Sequence, residues 1–227
     1  MCNPACLAYG RAHLSEADVR GRRVIEVGSR NVNGSLRGYV TGLGPASYLG
    51  VDIEAGPGVD EVCNADDLPA RFGEQRFDVV ICTEVLEHVR NWRLVISNLK
   101  RLLAPGGVLL ITTRSYGFKY HAFPYDFWRY EVDDMRTIFS DMTVDDVDTD
   151  PGVPGVFVRV RRPEPFVEND LADIELYSMV RRRRCRDLDA LTLAWFVNRR
   201  RAMRLAGRLL PEGLKARVKH AVRGTSG

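Results

Sequence analysis

The stretch Val24-Ile25-Glu26-Val27-Gly28-Ser29-Arg30-Asn31-Val32-Asn33-Gly34-Ser35 decides how the rest of the chain is read. Its start is a largely apolar run suited to a buried strand, and Gly28 opens a turn at the strand's end. Turns of this kind usually hold a nucleotide. A pyrophosphate-binding turn needs G-x-G-x-x-G, so that backbone and helix start can close on the phosphates. Here only Gly28 is in register, and the second and third glycine positions are Arg30 and Asn33. The helix start is pushed outward, and the wider polar loop suits a ligand lying across it. A nicotinamide oxidoreductase is thereby disfavoured.

Outward from this stretch, short apolar runs alternate with helical patterns, the signature of βαβ units and a mostly parallel sheet. Strands are predicted at 23–27, 47–53, 60–63, 77–82 and 107–113, and the continuous apolar cores of the last two suit burial on both faces. Leu94, Val95, Leu99, Leu102 and Leu103 fall at helical spacing, and Pro105-Gly106-Gly107 stops that helix. "MTVDDVD" (142–148) and "GVFVRVRR" (155–162) read as closing strands. After Pro163-Glu164-Pro165 the chain reads as helical and basic, with Pro211 punctuating a last helix. The expected organisation is a body over 1–165 and a basic helical extension over 166–227.

A chain of 227 residues suits one well-filled α/β domain with an appendage. With 28% charged residues and no apolar run near the roughly 20 residues that span a bilayer, it reads as globular. The start, "MCNPACLAYG", lacks the basic and apolar regions of a signal peptide, so cytoplasm is the expected compartment. Five scattered cysteines point to reduced thiols; Cys2 and Cys6 are too few for a structural zinc site, and Cys63 and Cys82 read as small core residues. The net charge of +3 hides an asymmetry. From Arg181 onward 14 Lys/Arg stand against Asp187, Asp189 and Glu212, a balance of +11 that leaves −8 for the remainder. An acidic body with a basic tail implies either a solvated appendage or an anionic partner: membrane surface, nucleic acid or acidic glycan. Trp195 and Phe196 beside Asn198-Arg199-Arg200-Arg201 suit an interfacial helix, or equally packing on the body.

Asp52 follows the second strand and is placed to accept hydrogen bonds from both hydroxyls of an adenosine ribose. After the third strand, Asn64-Ala65-Asp66-Asp67-Leu68-Pro69 offers a backbone amide and a side-chain oxygen for an adenine edge. The set "VIEVGS", "GVDI", "NADDLP", "FDVVICTEVLEHV" and "LLAPGGVLLITT", in that order over about residues 20–115, resembles the class I S-adenosylmethionine-dependent methyltransferases, of the type 11-like kind. The resemblance implies an α/β fold with a Rossmann-like seven-stranded sheet in the order 3-2-1-4-5-7-6, strand seven antiparallel, and helices on both faces. It implies that S-adenosylmethionine lies across the carboxyl ends of strands one, two and four. Glu26 and Gly28, with Ser29 and Arg30 in the same loop, would flank its methionine part. Asp52 would take the ribose hydroxyls, Ile53 would pack on adenine, Ala65 and Asp66 would read the adenine edge, and Thr83 would lie beside the sulfonium. Two positions depart from the family: Arg30 replaces the usual second loop glycine, and Asn64 stands where an acid is common. Arg30 either salt-bridges the cofactor carboxylate or points to solvent.

Methyl transfer from a sulfonium is an in-line displacement, in which the protein holds the nucleophile about 3 Å from the methyl carbon and excludes water. An alcohol nucleophile also needs a base or a metal near its proton. Glu84, Glu87 and His88 either form a helix start, with Glu87 capping and His88 supporting the loop, or supply three ligands for Mg2+ or a similar ion. Similar motifs in ubiquinone-pathway O-methyltransferases and small-RNA terminal methyltransferases bind a metal, and the RNA enzymes usually add a histidine from after strand five. The loop 114–131 is the expected substrate lid and carries Tyr116, Tyr120, His121, Tyr125, Asp126, Trp128 and Arg129. Its H-x-x-P-x-D-F-W-R pattern resembles methyltransferases encoded with bacterial cell-surface glycan genes. Aromatic faces there suit sugar rings, although Phe123, Phe127 and Trp128 can equally pack the loop onto the sheet. His121 is the first candidate for general base, His88 the second, and Asp126 completes the catalytic set.

The expected function is O-methylation of a sugar or glycan-linked hydroxyl. The alternatives are a small-metabolite or RNA-ribose acceptor, and a catalytically silent cofactor-binding partner protein. The absence of a recognisable RNA-binding module weighs against RNA. The expected partners are that acceptor and, for the basic tail, an anionic partner or a membrane surface that would hold the protein peripherally; no DNA is expected.

Overall fold

The computed structural model describes residues 3–121 and 124–209. The chain divides into two compact units, Met1–Arg186 and Asp187–Gly227. The first unit contains ten strands among its described residues: β1 (Arg23–Val27), β2 (Ser47–Asp52), β3 (Glu61–Val62), β4 (Phe77–Thr83), β5 (Leu103–Thr113), β6 (Trp128–Arg129), β7 (Thr143–Thr149), β8 (Val156–Arg161), β9 (Leu176–Ser178) and β10 (Arg183–Cys185). Seven of them form one sheet in the order β3-β2-β1-β4-β5-β8-β7. Strands β3, β2, β1, β4 and β5 run parallel, and β8 is antiparallel to β5 and β7. With the short β6 lying outside this sheet, that is the expected Rossmann-like order and sense.

Alternation along the strands sets the two faces. Val24, Val79, Ile81, Val108, Leu110 and Phe157 form one core with Cys6 and Tyr9 of α1 (Pro4–His13), Val19 of α2 (Glu16–Val19) and Val40 of α3 (Arg37–Gly42). The opposite residues Val80, Cys82, Leu109 and Ile111 are equally buried. Beyond the 3₁₀ turn Ala65–Asp67 come α4 (Leu68–Phe72) and α5 (Trp92–Leu102), and α5 packs on β4 and β5. Helix α1 starts where the Asn3 side chain accepts the Cys6 amide at 2.8 Å, with Pro4 in the first turn. Helix α6 (Val132–Ile138) begins with a reciprocal cap between Glu131 and Asp134.

The structure differs from the sequence reading in two places. Strand β5 begins at Leu103, not at residue 107, and follows α5 without a loop. Pro105-Gly106-Gly107 is a bulge in the pairing with β4, where the register shifts between Phe77 and Val79 and Gly106 takes a φ of 73°. The second difference is the segment after Pro165, expected to be helical. It supplies β9 and β10, which join β6 in a second sheet of order β10-β9-β6. Arg93 on α5 holds this segment by donating to the carbonyls of Leu171 at 2.7 Å, Ala172 at 3.3 Å, Ile174 at 2.6 Å and Arg186 at 2.8 Å. The four arginines from 181 to 184 thus form a turn and an edge strand, not a helix.

In the second unit, α7 (Ala190–Leu209) is a single helix whose start is capped by Asp189, which accepts the Thr192 amide at 2.8 Å. The helix expected after Pro211 lies outside the described residues. Among the described residues no helix is long and apolar enough to cross a membrane.

Arg93→Ala is expected to lower the unfolding free energy by about 2–4 kcal/mol, since it strips four carbonyls of a charged donor. Urea denaturation measures the loss. Limited proteolysis is expected to cut the variant first within 171–186.

Candidate active site

A cavity of about 290 Å³ opens where the parallel strands end. Gly28 begins its floor with a φ of 80°, and a Cβ there would run into the Val85 side chain, so the loop after β1 touches the turn after β4. Asp52, at the tip of β2, lines the cavity with its carboxylate fixed by the backbone amides of Arg30 at 3.2 Å and Glu54 at 3.1 Å. Next to it Ile53 leaves an apolar side chain 58% exposed on the cavity wall. Ala65 and Asp66 lie on the 3₁₀ turn after β3, which Asn98 of α5 holds by donating to both their carbonyls at 2.9 and 2.8 Å. Asn64 has a part here: its side chain accepts the Asp66 amide at 3.2 Å and caps the turn. Thr83, the last residue of β4, completes the wall.

Three residues of the expected cofactor loop are engaged elsewhere. Arg30 lines the cavity, but its guanidinium pairs with Glu54 beyond β2. Glu26 is buried away from the cavity, on the sheet face of Val24, and accepts the Tyr48 hydroxyl at 2.5 Å. Burial pushes its pKa up to about 7, against the pull of the Tyr48 hydrogen bond and Arg37. The Ser29 hydroxyl is buried behind Gly50, where it blocks any side chain at that position. Cys63, read as a core residue, is half-buried on the cavity wall.

At the far end of the cavity, the turn after β4 meets the loop after β5. Glu87 is fully buried, and its Oε2 accepts the Thr113 hydroxyl at 2.8 Å. Its Oε1 lies 3.4 Å from His121 Nε2 and 3.7 Å from His88 Nε2 and has no hydrogen-bond partner. The two rings meet edge to face with centroids 4.7 Å apart. The other nitrogen of each imidazole faces an oxygen. His88 Nδ1 is 2.6 Å from the Tyr125 carbonyl, and His121 Nδ1 is 3.2 Å from Asp126 Oδ2. Asp126 also accepts the His121 backbone amide at 2.9 Å and is gripped from behind by the buried Arg129 at 2.5 and 2.7 Å. It serves His121 from outside the cavity wall.

Electrostatics reinforce this chain of contacts. Burial alone would raise the Glu87 pKa, but His88 and His121 hold it well below the usual carboxylate range. Burial opposes the charge on His121, yet Asp126 and Glu87 outweigh it and lift the imidazole to about 9. In the protein alone His121 therefore carries a proton at neutral pH, contrary to what a resting general base requires. A cation on Nε2 would displace that proton.

The expected ligand set of Glu84, Glu87 and His88 is corrected in one member. Among the described residues, the three groups whose ligand atoms lie within 4.8 Å of one another are Glu87, His88 and His121. Glu84 turns away with a φ of 58° and pairs with the buried Arg114, while its Oε1 accepts from Cys6 Sγ at 3.4 Å and the Thr112 hydroxyl at 3.1 Å. The substrate loop is also less open than its aromatic content suggests. Phe127, Trp128 and Tyr130 are buried, and Phe123 lies outside the described residues. The grip of Arg129 and Arg114 on their carboxylates was missed in the sequence; the only signal was an arginine toward each end of a loop rich in aromatics.

A family model described as "Methyltransferase domain" matches residues 6–145. The probable phthiotriol/phenolphthiotriol dimycocerosates methyltransferase 2 of Mycobacterium ulcerans (strain Agy99) is 37% identical over 106 residues, covering 41% of this chain and 40% of that protein. The ubiquinone biosynthesis O-methyltransferase of Thiobacillus denitrificans (strain ATCC 25259 / T1) is 33% identical over 113 residues, covering 44% and 47%. The chain thus spans less than half the length of these two relatives. Among solved structures, a 1,6-didemethyltoxoflavin-N1-methyltransferase of Burkholderia thailandensis, with S-adenosylhomocysteine bound, superposes with a TM-score of 0.54 at 17% identity, over 70% of this chain and 77% of that one. An S-adenosylmethionine-dependent methyltransferase from Mesorhizobium loti gives a TM-score of 0.55 at 18% identity, over 70% and 99%. At these identities the structural likeness is one of fold.

Glu26 gives this unit a defined pH dependence. The folded protein keeps its proton up to about pH 7, whereas the unfolded chain releases it near 4.5. The stabilisation is fully present below the unfolded value and is lost as pH rises through the folded one. Glu26→Gln, which stays neutral, is expected to remove about 3 kcal/mol of the stability change between about pH 4.5 and pH 8. Denaturation midpoints of both proteins across that range check it, and parallel curves would show that burial leaves Glu26 untouched.

Proposed function

The chain belongs to the methyltransferase-domain family, and from that premise we propose that it is an S-adenosylmethionine-dependent O-methyltransferase acting on a hydroxyl of a sugar or glycan-linked acceptor. One observation carries the reading: a carboxylate placed for a ribose, Asp52, and two imidazoles braced toward a buried carboxylate, His88 and His121, line the same cavity.

The residues fit the cofactor. Asp52 would take the ribose hydroxyls, the exposed Ile53 would cover an adenine face, and Ala65 and Asp66 stand at its edge. Thr83 and Val85 would then border the sulfonium end, next to His88. S-adenosylmethionine supplies an electrophilic methyl group there. What the protein adds is placement, the exclusion of water and a route for the acceptor's proton. In its neutral form, and without a cation on Nε2, His121 would take that proton: it lies on the cavity wall beside Asp126.

Glu87, His88 and His121 also fit a divalent cation. His88 Nδ1 is held by the Tyr125 carbonyl, His121 Nδ1 faces Asp126, both rings turn Nε2 toward one carboxylate oxygen, and that oxygen has no hydrogen-bond partner. Two imidazoles with one carboxylate suit a transition ion such as Mn2+ better than Mg2+, which prefers oxygen ligands. A cation held there would acidify an acceptor hydroxyl. The sugar assignment draws on the loop pattern from His121 to Arg129. With Phe127 and Trp128 buried, the acceptor contacts among the described residues of the loop would fall to His121 and Pro124 at the cavity wall.

Asp52→Ala is expected to weaken S-adenosylhomocysteine binding by about tenfold or more in calorimetric titration, since it removes a charged acceptor. NAD, the control ligand, is expected not to bind; tight NAD binding instead would remove the methyltransferase reading. His121→Ala is expected to cost about 100-fold in methyl transfer across a panel of sugar acceptors while leaving thioether affinity unchanged. Exhaustive chelation is expected to abolish turnover, and Mn2+ to restore it. Full activity after chelation would eliminate the cation.

A further inference from the structure

We propose that α7 is a membrane-surface helix whose exposed face lies in the headgroup layer of a bilayer rich in anionic lipid. Over Ala190–Leu209 the helix carries five arginines and no acidic residue. Leu191 and Trp195, one turn apart, are 84% and 60% exposed. Arg199, one turn further on the same face, places its guanidinium 5.3 Å from the centre of the Trp195 ring. The outer stripe therefore runs Leu191, Trp195, Arg199: an aliphatic side chain, an indole and a cation at successive i+4 positions. That order suits an interfacial helix. The indole sits at the boundary between acyl chains and headgroups, and the guanidinium reaches the phosphates above it. Arg201 is exposed as well, and residues 210–227 add four Lys/Arg against Glu212.

The apolar part of the stripe selects among the partners that a positive helix could take. A nucleic-acid backbone would meet the arginines but would leave Leu191 in water. A lipid interface removes Leu191 and Trp195 from water together. A second copy of the same face would bring arginine against arginine, which opposes association. The inference does not depend on the chemistry of the cavity in the first unit.

The test is flotation of the full chain with vesicles of phosphatidylcholine alone, and with vesicles containing about one third phosphatidylglycerol, at low salt and at about 0.5 M salt. The expected result is about tenfold more protein on the anionic vesicles, release at high salt, and a blue shift of tryptophan emission. Trp92 and Trp128 are buried, so the shift reports on Trp195. Trp195→Ala is expected to abolish the shift, and the double variant Arg199→Glu/Arg201→Glu to reduce the bound fraction about tenfold, both with an unchanged thermal midpoint. Equal binding to both vesicle types, or none to either, overturns the proposal. So does binding of single-stranded RNA that anionic vesicles fail to compete away, or a dimer in light scattering that Trp195→Ala dissolves.

Discussion

Glu84 follows the central strand β4 with a φ of 58°, a conformation that costs a non-glycine residue on the order of 1 kcal/mol or more. The carboxyl edge of the sheet depends on what keeps it there. Arg114, the first residue after β5, pairs with the Glu84 carboxylate and lies 3.2 Å from Asp150, which in turn accepts from Asn3 at 2.7 Å. Cys6 of α1 and Thr112 of β5 donate to the same carboxylate. Three side chains from α1 and the end of β5 thus converge on one buried acid, with Asp150 and Asn3 behind them. Burial raises its pKa, and Arg114 opposes that shift. A buried carboxylate is tolerated only with such company. The turn it enforces brings Val85 against Gly28 and aims Glu87 and His88 at the loop after β5.

Two acids three residues apart are thereby given opposite work. Glu84 meets a permanent cation and becomes part of the scaffold. Glu87 meets two imidazoles and keeps one oxygen without a hydrogen bond. Perturbed groups cluster at functional sites because a site must hold charges in states that water would not favour. The pattern E-x-x-E-H does not distinguish its two acids; the φ at Glu84 turns the first toward Arg114 and leaves the second facing the imidazoles.

The sheet was legible because its information is local and periodic. The strands announce themselves as apolar runs, and Asp52, Ile53, Ala65, Asp66 and Thr83 all reach the cavity because they stand at strand ends, where topology alone places them. Glu26 and Ser29 were misplaced for a reason equally local. Alternation sends Glu26 to the face of Val24 and Tyr48, and the turn carries the Ser29 hydroxyl behind Gly50. What spacing could not show are partnerships across long separations. His121 joins Glu87 and His88 only because the intervening loop folds back. Likewise β9 and β10 exist because Arg93 and β6, far upstream, offer them partners. A run of arginines has no apolar period of its own, so tertiary contacts decide whether it becomes helix or strand.

The loop after β5 is a braced arm, not a loose cover. At one end Arg114 is locked by Glu84 and Asp150. At the other, the Phe127 amide donates to the Glu87 carbonyl at 2.7 Å, the Tyr130 hydroxyl to the Leu86 carbonyl at 3.1 Å, and the Trp128 indole to the Arg90 carbonyl at 3.1 Å. The Tyr130 amide closes the arm on itself by donating to the Arg114 carbonyl at 3.0 Å. Rigid support is what a site needs if binding is to place a nucleophile within a few tenths of an ångström. It also confines selectivity. With both ends buried, exposed side chains among the described residues of the arm remain at Tyr116, Lys119 and Pro124, and His121 and Pro124 are the two of them that border the cavity. Substitution of an exposed residue of this arm such as Lys119 would therefore leave undisturbed the acids and imidazoles on which its two ends depend.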